Sequence, residues 1–202
     1  MKKKRNSQSP KKMKPVFLVF CEGDTEETYI NFLRLMYRLP IKVIPHRTGL
    51  SISSDIIKQY TQEEKIGPSD KITSFLMYDL DRDDVAKKLI SCKNSINIST
   101  NPCVELWFLL HTGEQNSIIS TIRCIEKLEK SSPDWATYKK GSLSRKQKQD
   151  LWDNRKLASA RARKLPEGKN PSSSVYRLIE AMENTDPGAF FRGNAGKREP
   201  LS

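Results

Sequence analysis

Read on its own, the chain calls for an α/β fold: a parallel sheet of about four strands flanked by helices, followed by a basic helical extension. Residues 16–21 and 73–78 are short apolar runs bounded by turn residues, as buried strands of a parallel sheet are. Both runs end in acid, at Glu22-Gly23-Asp24-Thr25-Glu26-Glu27 and at Asp79-Leu80-Asp81-Arg82-Asp83-Asp84. Strand-like and helix-like stretches then alternate up to about residue 130, the pattern of successive βαβ units.

The elements follow in order. The first strand, 16–21, is turned by Gly23 into a helix, with Asp24 as its cap and Glu27 three residues on to complete a capping box. Ile30, Phe32, Leu33, Leu35, Met36 and Leu39 give that helix a mostly apolar surface. Residues 41–44 are a short second strand. Ser53 or Ser54 opens a helix over 55–64, and 67–70 (Gly-Pro-Ser-Asp) is a loop. After the third strand, 73–78, come a helix over 84–92 and a weakly alternating fourth strand over 95–99. Asn101-Pro102 fits a helix cap and first position, ahead of a strongly apolar helix over 104–111. A further helix covers 117–130. Residues 144–164, basic, rich in alanine and without glycine, predict one long helix. Residues 166–174 are loop, 175–182 a last amphipathic helix capped by a serine, and 186–202 a flexible tail. The expected organisation is a disordered basic tail over 1–14, the α/β core over 15–130, the basic extension packed on it over 131–185, and the tail.

The 202 residues suit one domain, and 36% hydrophobic content suffices for a core. No apolar run is long enough to span a membrane and none has signal-peptide form, so a cytoplasmic protein is expected. Cys21, Cys92, Cys103 and Cys124 form no C-x-x-C pair, and with only His46 and His111 to assist, zinc is disfavoured; Cys21 and Cys103 read as reduced core residues. The net charge of +12 is uneven. Residues 1–14 carry seven basic groups and no acid, residues 15–138 carry 14 basic against 17 acidic groups, and residues 139–169 carry 11 basic against 3 acidic. An acidic module between basic flanks suits a polyanion held over a metal-charged centre. Lys139, Lys140, Arg145, Lys146, Lys148, Arg155, Arg161 and Arg163 are the candidate nucleic-acid contacts. Trp135, Tyr138 and Trp152 beside them could stack on bases or form the core of a small helical unit.

Carboxylates at the carboxyl ends of parallel strands sit where open α/β sheets bind ligands. Asp79 and Asp81, two apart, face the same way on an extended chain, and Asp83 joins them only if the strand runs on. Massed carboxylates call for a cation, and hard oxygen donors suit Mg²⁺ or Mn²⁺. Glu105 lies one turn into an apolar helix, where a carboxylate without a partner is costly; a metal role stands against a cap or ion pair there. Glu26 serves the helix N-terminus or the site, Arg82 a phosphate or Asp84, and Gly23 leaves room for close approach of a phosphate.

The ordered pieces resemble a Toprim domain in residues 16–23, a strand ending in Glu-Gly, and 76–83, a strand ending in Asp-x-Asp. More narrowly the chain resembles the RloB-like family, in residues 21–29 (Cys-Glu-Gly-Asp-Thr-Glu-Glu-Thr-Tyr), 78–84, 101–111 (Asn-Pro-Cys-Val-Glu-Leu-Trp-Phe-Leu-Leu-His) and 170–175, in that order. The resemblance implies a Toprim-like fold and a Mg²⁺-dependent nuclease acting on RNA, tRNA among it, or DNA, in phage defence or abortive infection. It implies Glu22 as general acid/base and Asp79 and Asp81 as metal holders; Glu22, Asp83 and Glu105 complete the candidate metal set. A partner ATPase or restriction-locus protein fits as well, since the chain has neither G-x-x-x-x-G-K-[ST] nor G-x-G-x-x-G. A haloacid-dehalogenase-type phosphotransferase is disfavoured because the Asp-x-Asp continues Arg-Asp instead of a small residue and Thr. A non-catalytic nucleic-acid-binding or sensor module is the alternative that the basic extension supports.

Overall fold

A computed structural model describes residues 16–39, 41–45, 52–64 and 72–185. The tails expected over 1–14 and 186–202, the loop over 67–70 and His46 lie outside the described residues. The elements are β1 (Val16–Cys21), α1 (Asp24–Tyr37), β2 (Ile41–Pro45), α2 (Ser54–Glu63), β3 (Ile72–Met77), α3 (Asp83–Ser91), β4 (Ser95–Asn97), β5 (Thr100–Asn101), α4 (Val104–Thr112), α5 (Thr121–Glu129), α6 (Arg145–Asp153), α7 (Arg155–Arg163), β6 (Ser172–Ser173) and α8 (Tyr176–Thr185).

Four strands form a parallel sheet in the order β2-β1-β3-β4. The apolar runs of β1 and β3 are buried on both sides, and the two faces are sorted by the two-residue period of the strand. Phe17, Val19, Cys21, Phe75 and Met77 face α1, α4 and the helices beyond, whereas Leu18, Phe20, Leu76 and Tyr78 face α2 and α3. The order also fixes where a ligand can enter. From β1 the chain moves one way to β2, and from β3 it moves the other way to β4. The crossovers travel in opposite directions, so helices of one hand lie on opposite faces, α1 on one and α3 on the other. The carboxyl ends of β1 and β3 therefore flank the topological switch point, the crevice where open α/β sheets bind ligands.

The part after residue 131 shares the larger hydrophobic cluster with β1, α1 and α4. Trp135, Tyr138 and Trp152 are buried in it. Phe108 of α4 stacks on Trp135 at 5.9 Å, and Tyr37 of α1 meets Trp152 edge-on at 5.1 Å. These rings are core and do not offer faces to bases.

Several boundaries differ from expectation. Gly23 precedes α1 in extended backbone with no side-chain cap, so Asp24 and Glu27 form no capping box; the Glu27 N–H instead bonds the Gly23 carbonyl within the helix at 3.1 Å. Asn101 does not cap α4. It pairs with Ser172 in a short ribbon with β6, inside the stretch expected as loop, and Cys103 leads into the helix. Asn101-Pro102 and Asn170-Pro171 are both cis peptides. Helix α5 begins only at Thr121, where the Ser120 side chain accepts from the Arg123 N–H. The long helix expected over 144–164 is broken at Asn154 into α6, opened by a Ser144/Gln147 capping box, and α7. Asn154 bonds the Asp150 side chain at 2.6 Å, as its short polar side chain can where a helix gives way. Among the described residues no helix is long and apolar enough to cross a membrane.

Candidate active site

At the switch point the strand ends are tied to one another. The Glu22 N–H donates to the Met77 carbonyl at 3.2 Å, and the Asp79 N–H donates to Glu22 Oε2 at 3.0 Å. Asp79 is held from its other side by a parallel bridge to Thr100. Helix α1 leaves β1 directly and carries Thr25 and Glu26 inward in its first turn; helix α4 does the same with Glu105. Glu22, Asp24, Glu26, Asp79 and Glu105 thus line a single cavity of about 310 Å³, together with Lys140 and Gly141. Two of these acids, Glu22 and Asp79, come from strand ends and three, Asp24, Glu26 and Glu105, from helix N-termini, where the helix dipole favours negative charge.

The carboxyl groups disturb one another. Burial pushes Asp79 well above the usual carboxylate range, helped by Glu26, Glu22, Glu105 and Asp81. Burial also raises Glu22, opposed by the bond from the Asp79 N–H and supported by Asp81. Glu26 is pushed up to about 7, first by burial and then by Glu105 and Glu22. Glu105 is 0% exposed. Its Oε1 accepts from the Tyr138 hydroxyl at 2.8 Å and lies 3.7 Å from Lys140 Nζ, while its buried Oε2 has no partner among the described residues. Among those residues Lys140 is the only basic side chain lining the cavity. Burial acts to lower its value, but the surrounding carboxyl groups, Glu105 first, hold it above the ordinary lysine range.

Lys140 is aimed by a clamped turn. The Gly141 N–H donates to Thr25 Oγ1 at 2.8 Å, and Thr28 Oγ1 donates to the Gly141 carbonyl at 2.9 Å. Gly141 has φ +75°, which favours glycine, and a Cβ there would stand 3.2 Å from that of Asp24. Space is tight at Gly23: a Cβ on it would stand 3.1 Å from Glu26 Oε2, and that carboxyl would have to shift by a few tenths of an ångström.

The candidates from sequence separate accordingly. Glu22, Gly23, Glu26, Asp79 and Glu105 meet in the cavity. Asp81 is exposed and outside its lining, though close enough to raise both Glu22 and Asp79. Asp83 does not lie along an extended strand, because β3 ends at Met77 and Asp83 opens α3. Arg82 pairs with Asp84 at 2.8 Å. His111, at the opposite end of α4 from Glu105, is lowered by burial to about 4 and takes no part in the cavity.

Of the basic set, Lys139 and Arg145 are exposed and Lys148 half-buried. Lys146 pairs with Asp134. Three arginines are structural. Arg155 is buried between Trp152 and Glu183, Arg161 donates to the Leu110 and His111 carbonyls that end α4, and Arg163 pairs with Glu180. The charge of Arg155 and Arg161 is used inside the fold, whereas Arg163, 53% exposed, is matched by Glu180 at the surface. All four cysteines are buried and unbridged.

Sequence reasoning missed the place of Lys140 on the site, the Tyr138 bond to Glu105 and the threonine clamp. A Lys-Gly turn is visible in the sequence, but its partner in α1 is 113 residues away.

Fold and cavity together define an α/β protein with an acidic crevice at the switch point of a parallel sheet. The family model described as RloB-like protein matches residues 17–182, and the chain belongs to the RloB-like family. No curated protein and no solved structure matches it.

Proposed function

We propose that the protein is a nuclease that hydrolyses phosphodiester bonds of RNA or DNA with Mg²⁺ or Mn²⁺. One observation carries the reading: five acidic residues from four separate elements line one cavity whose described lining offers a single cation. Such a centre is short of positive charge, and a metal ion together with the lysine supplies it.

The donors fit a hard cation. All are carboxyl oxygens, and Glu105, one of the residues lining the crevice, has a buried Oε2 with no partner among the described residues. Among those residues, no three His, Cys, Asp or Glu side chains are arranged to hold a metal together. Mg²⁺ ordinarily keeps several waters and takes one or two protein carboxylates, so a ready cage is not required. One or two of Glu22, Asp79 and Glu105 would hold the ion directly and the others through its waters, with Asp81 nearby. When bound, it would neutralise the phosphate and make a water easier to deprotonate.

The chain's own groups divide the remaining work. Lys140 would bind the non-bridging phosphate oxygens. Glu22, oriented by the Asp79 N–H, would take the proton of the attacking water. Glu26, whose burial favours its protonated form, would deliver a proton to the leaving oxygen. The role we propose for it is phage defence or abortive infection, as the resemblance to the family implies, in the cytoplasm and with an ATPase or restriction-locus protein as partner.

The test offers purified protein end-labelled total tRNA, single-stranded RNA and plasmid DNA, with Mg²⁺, Mn²⁺ or chelator. Cutting should need the metal and be lost in Glu22→Gln and Asp79→Asn, both still folded. Cutting retained by either variant would sink the site assignment. The exposed Lys139 and Arg145 favour a second reading, a non-catalytic nucleic-acid-binding module. That reading predicts salt-sensitive binding that survives in Glu22→Gln, with no cutting by the wild type.

A further inference from the structure

A groove of about 540 Å³ runs between α1 and α6, away from the acidic crevice. Thr28, Asn31 and Leu35 line it from α1, and Arg145 and Lys148 from α6. The α1 residues continue, at spacings of three and four, a line that starts at Thr25 in the crevice. Thr28 is a wall of the groove and its hydroxyl bonds the carbonyl of Gly141, a wall of the crevice. Groove and crevice thus meet across one hydrogen bond, and the line extends about 15 Å along the helix from Thr25 to Leu35.

Their charges are opposite. Among the described residues the groove is lined by no acid, and neither Arg145 nor Lys148 makes an ion pair. Beside these cations Leu35 is 72% exposed, a large apolar side chain left in water. The floor is Phe32 and Trp152, both buried. Asn31 adds an amide with donor and acceptor. Cations for a phosphate backbone, apolar surface for a ring face and an amide for a ring edge are what an unpaired nucleotide uses. In a duplex the faces are stacked away and out of reach.

We propose that this groove is the track for single-stranded nucleic acid adjoining the phosphate in the crevice, its backbone on Arg145 and Lys148 and a base against Leu35. The assignment rests on the nuclease reading of the crevice, but the groove can fail or hold independently of it.

The experiment measures fluorescence anisotropy of a labelled single strand of about twelve nucleotides, RNA or DNA, and of its duplex, across a salt series in chelator so that nothing is cut. Wild type is compared with R145E/K148E and with K87E/K93E, which reverses two exposed lysines on and just after α3. Thermal melts verify that each variant is folded. R145E/K148E should weaken single-strand binding by about tenfold or more and flatten the salt slope by about 1.4, roughly 0.7 for each phosphate left without its cation. K87E/K93E should change neither, and Leu35→Asp should weaken binding. Equal weakening by both double variants, or tighter binding of duplex than of single strand, overturns the proposal. The cleavage assay separates the two readings. Wild type that binds through the groove yet cuts nothing leaves the groove standing and ends the nuclease reading. Metal-dependent cutting undiminished in R145E/K148E does the reverse.

Discussion

Glu105 has one oxygen held twice and one not held at all. Tyr138 and Lys140 both address Oε1, and Oε2 is left buried with no partner among the described residues. A buried acceptor without a donor is costly, and fold stability alone gives no reason to keep it there. Tyr138→Phe should remove a charge-assisted bond and lower stability by about 1–3 kcal/mol in urea denaturation. A loss near zero would mean that the bond is not made. Gly23→Ala is informative in a different way. Its added Cβ must displace the Glu26 carboxyl, 3.1 Å away, while the extended backbone at residue 23 accepts alanine without strain. Cutting should fall by about tenfold or more with melting nearly unchanged; a parallel fall in both would assign Gly23 to the fold alone.

At the level of helices and strands, what the chain announces is local. Apolar runs 16–21 and 73–78 end in acid because a strand buried on both faces must stop where polar groups begin, so β1, β3, Glu22 and Asp79 are readable directly. What is not local is not readable. Arg155, Arg161 and Arg163 look in sequence like the rest of a basic face. Only the packing of α7 against α4 and α8 shows that they are bonded to Glu183, the α4 carbonyls and Glu180. Asp83 is misplaced by the sequence for a related reason, since nothing in the run of acids tells where the strand yields to α3. The distinction has a measurable consequence. Arg155→Ala strands Glu183 beside an emptied space and should cost about 3 kcal/mol in denaturant, while single-strand affinity stays within about twofold of wild type. A large loss of affinity at unchanged stability would return Arg155 to the binding surface.

The whole molecule carries a net charge of +12 around a centre that is locally acidic. That contrast makes stability depend on pH with a definite sign. The folded state holds the Glu26 proton more tightly than the unfolded chain does, with a value of about 7 against 4.5. The native state therefore binds more protons across that window, and stability falls as pH rises through it. Without divalent cations, the melting temperature should drop between about pH 5 and pH 7.5, and Glu26→Gln should flatten the drop. Mg²⁺ or Mn²⁺ at pH 7.5 should raise it again, because a ligand that binds only the folded form stabilises that form. A melting temperature indifferent to both metals, in wild type and at millimolar concentrations, would argue against the crevice as a metal centre.

The turn at Gly141 is held by two threonines through both of its backbone groups. The clamp thus has two owners, one stretch of chain ending near residue 28 and another beginning near residue 138. Cutting the protein between them would part Thr25 and Thr28 from the glycine they hold, and Glu22 and Glu26 from Lys140. The two cannot be exchanged separately between relatives, for a new partner must bring back a turn that fits the same pair of hydroxyls. Inheritance of the site is thus a joint affair, and a chimaera joined anywhere from 29 to 137 would put that to the proof.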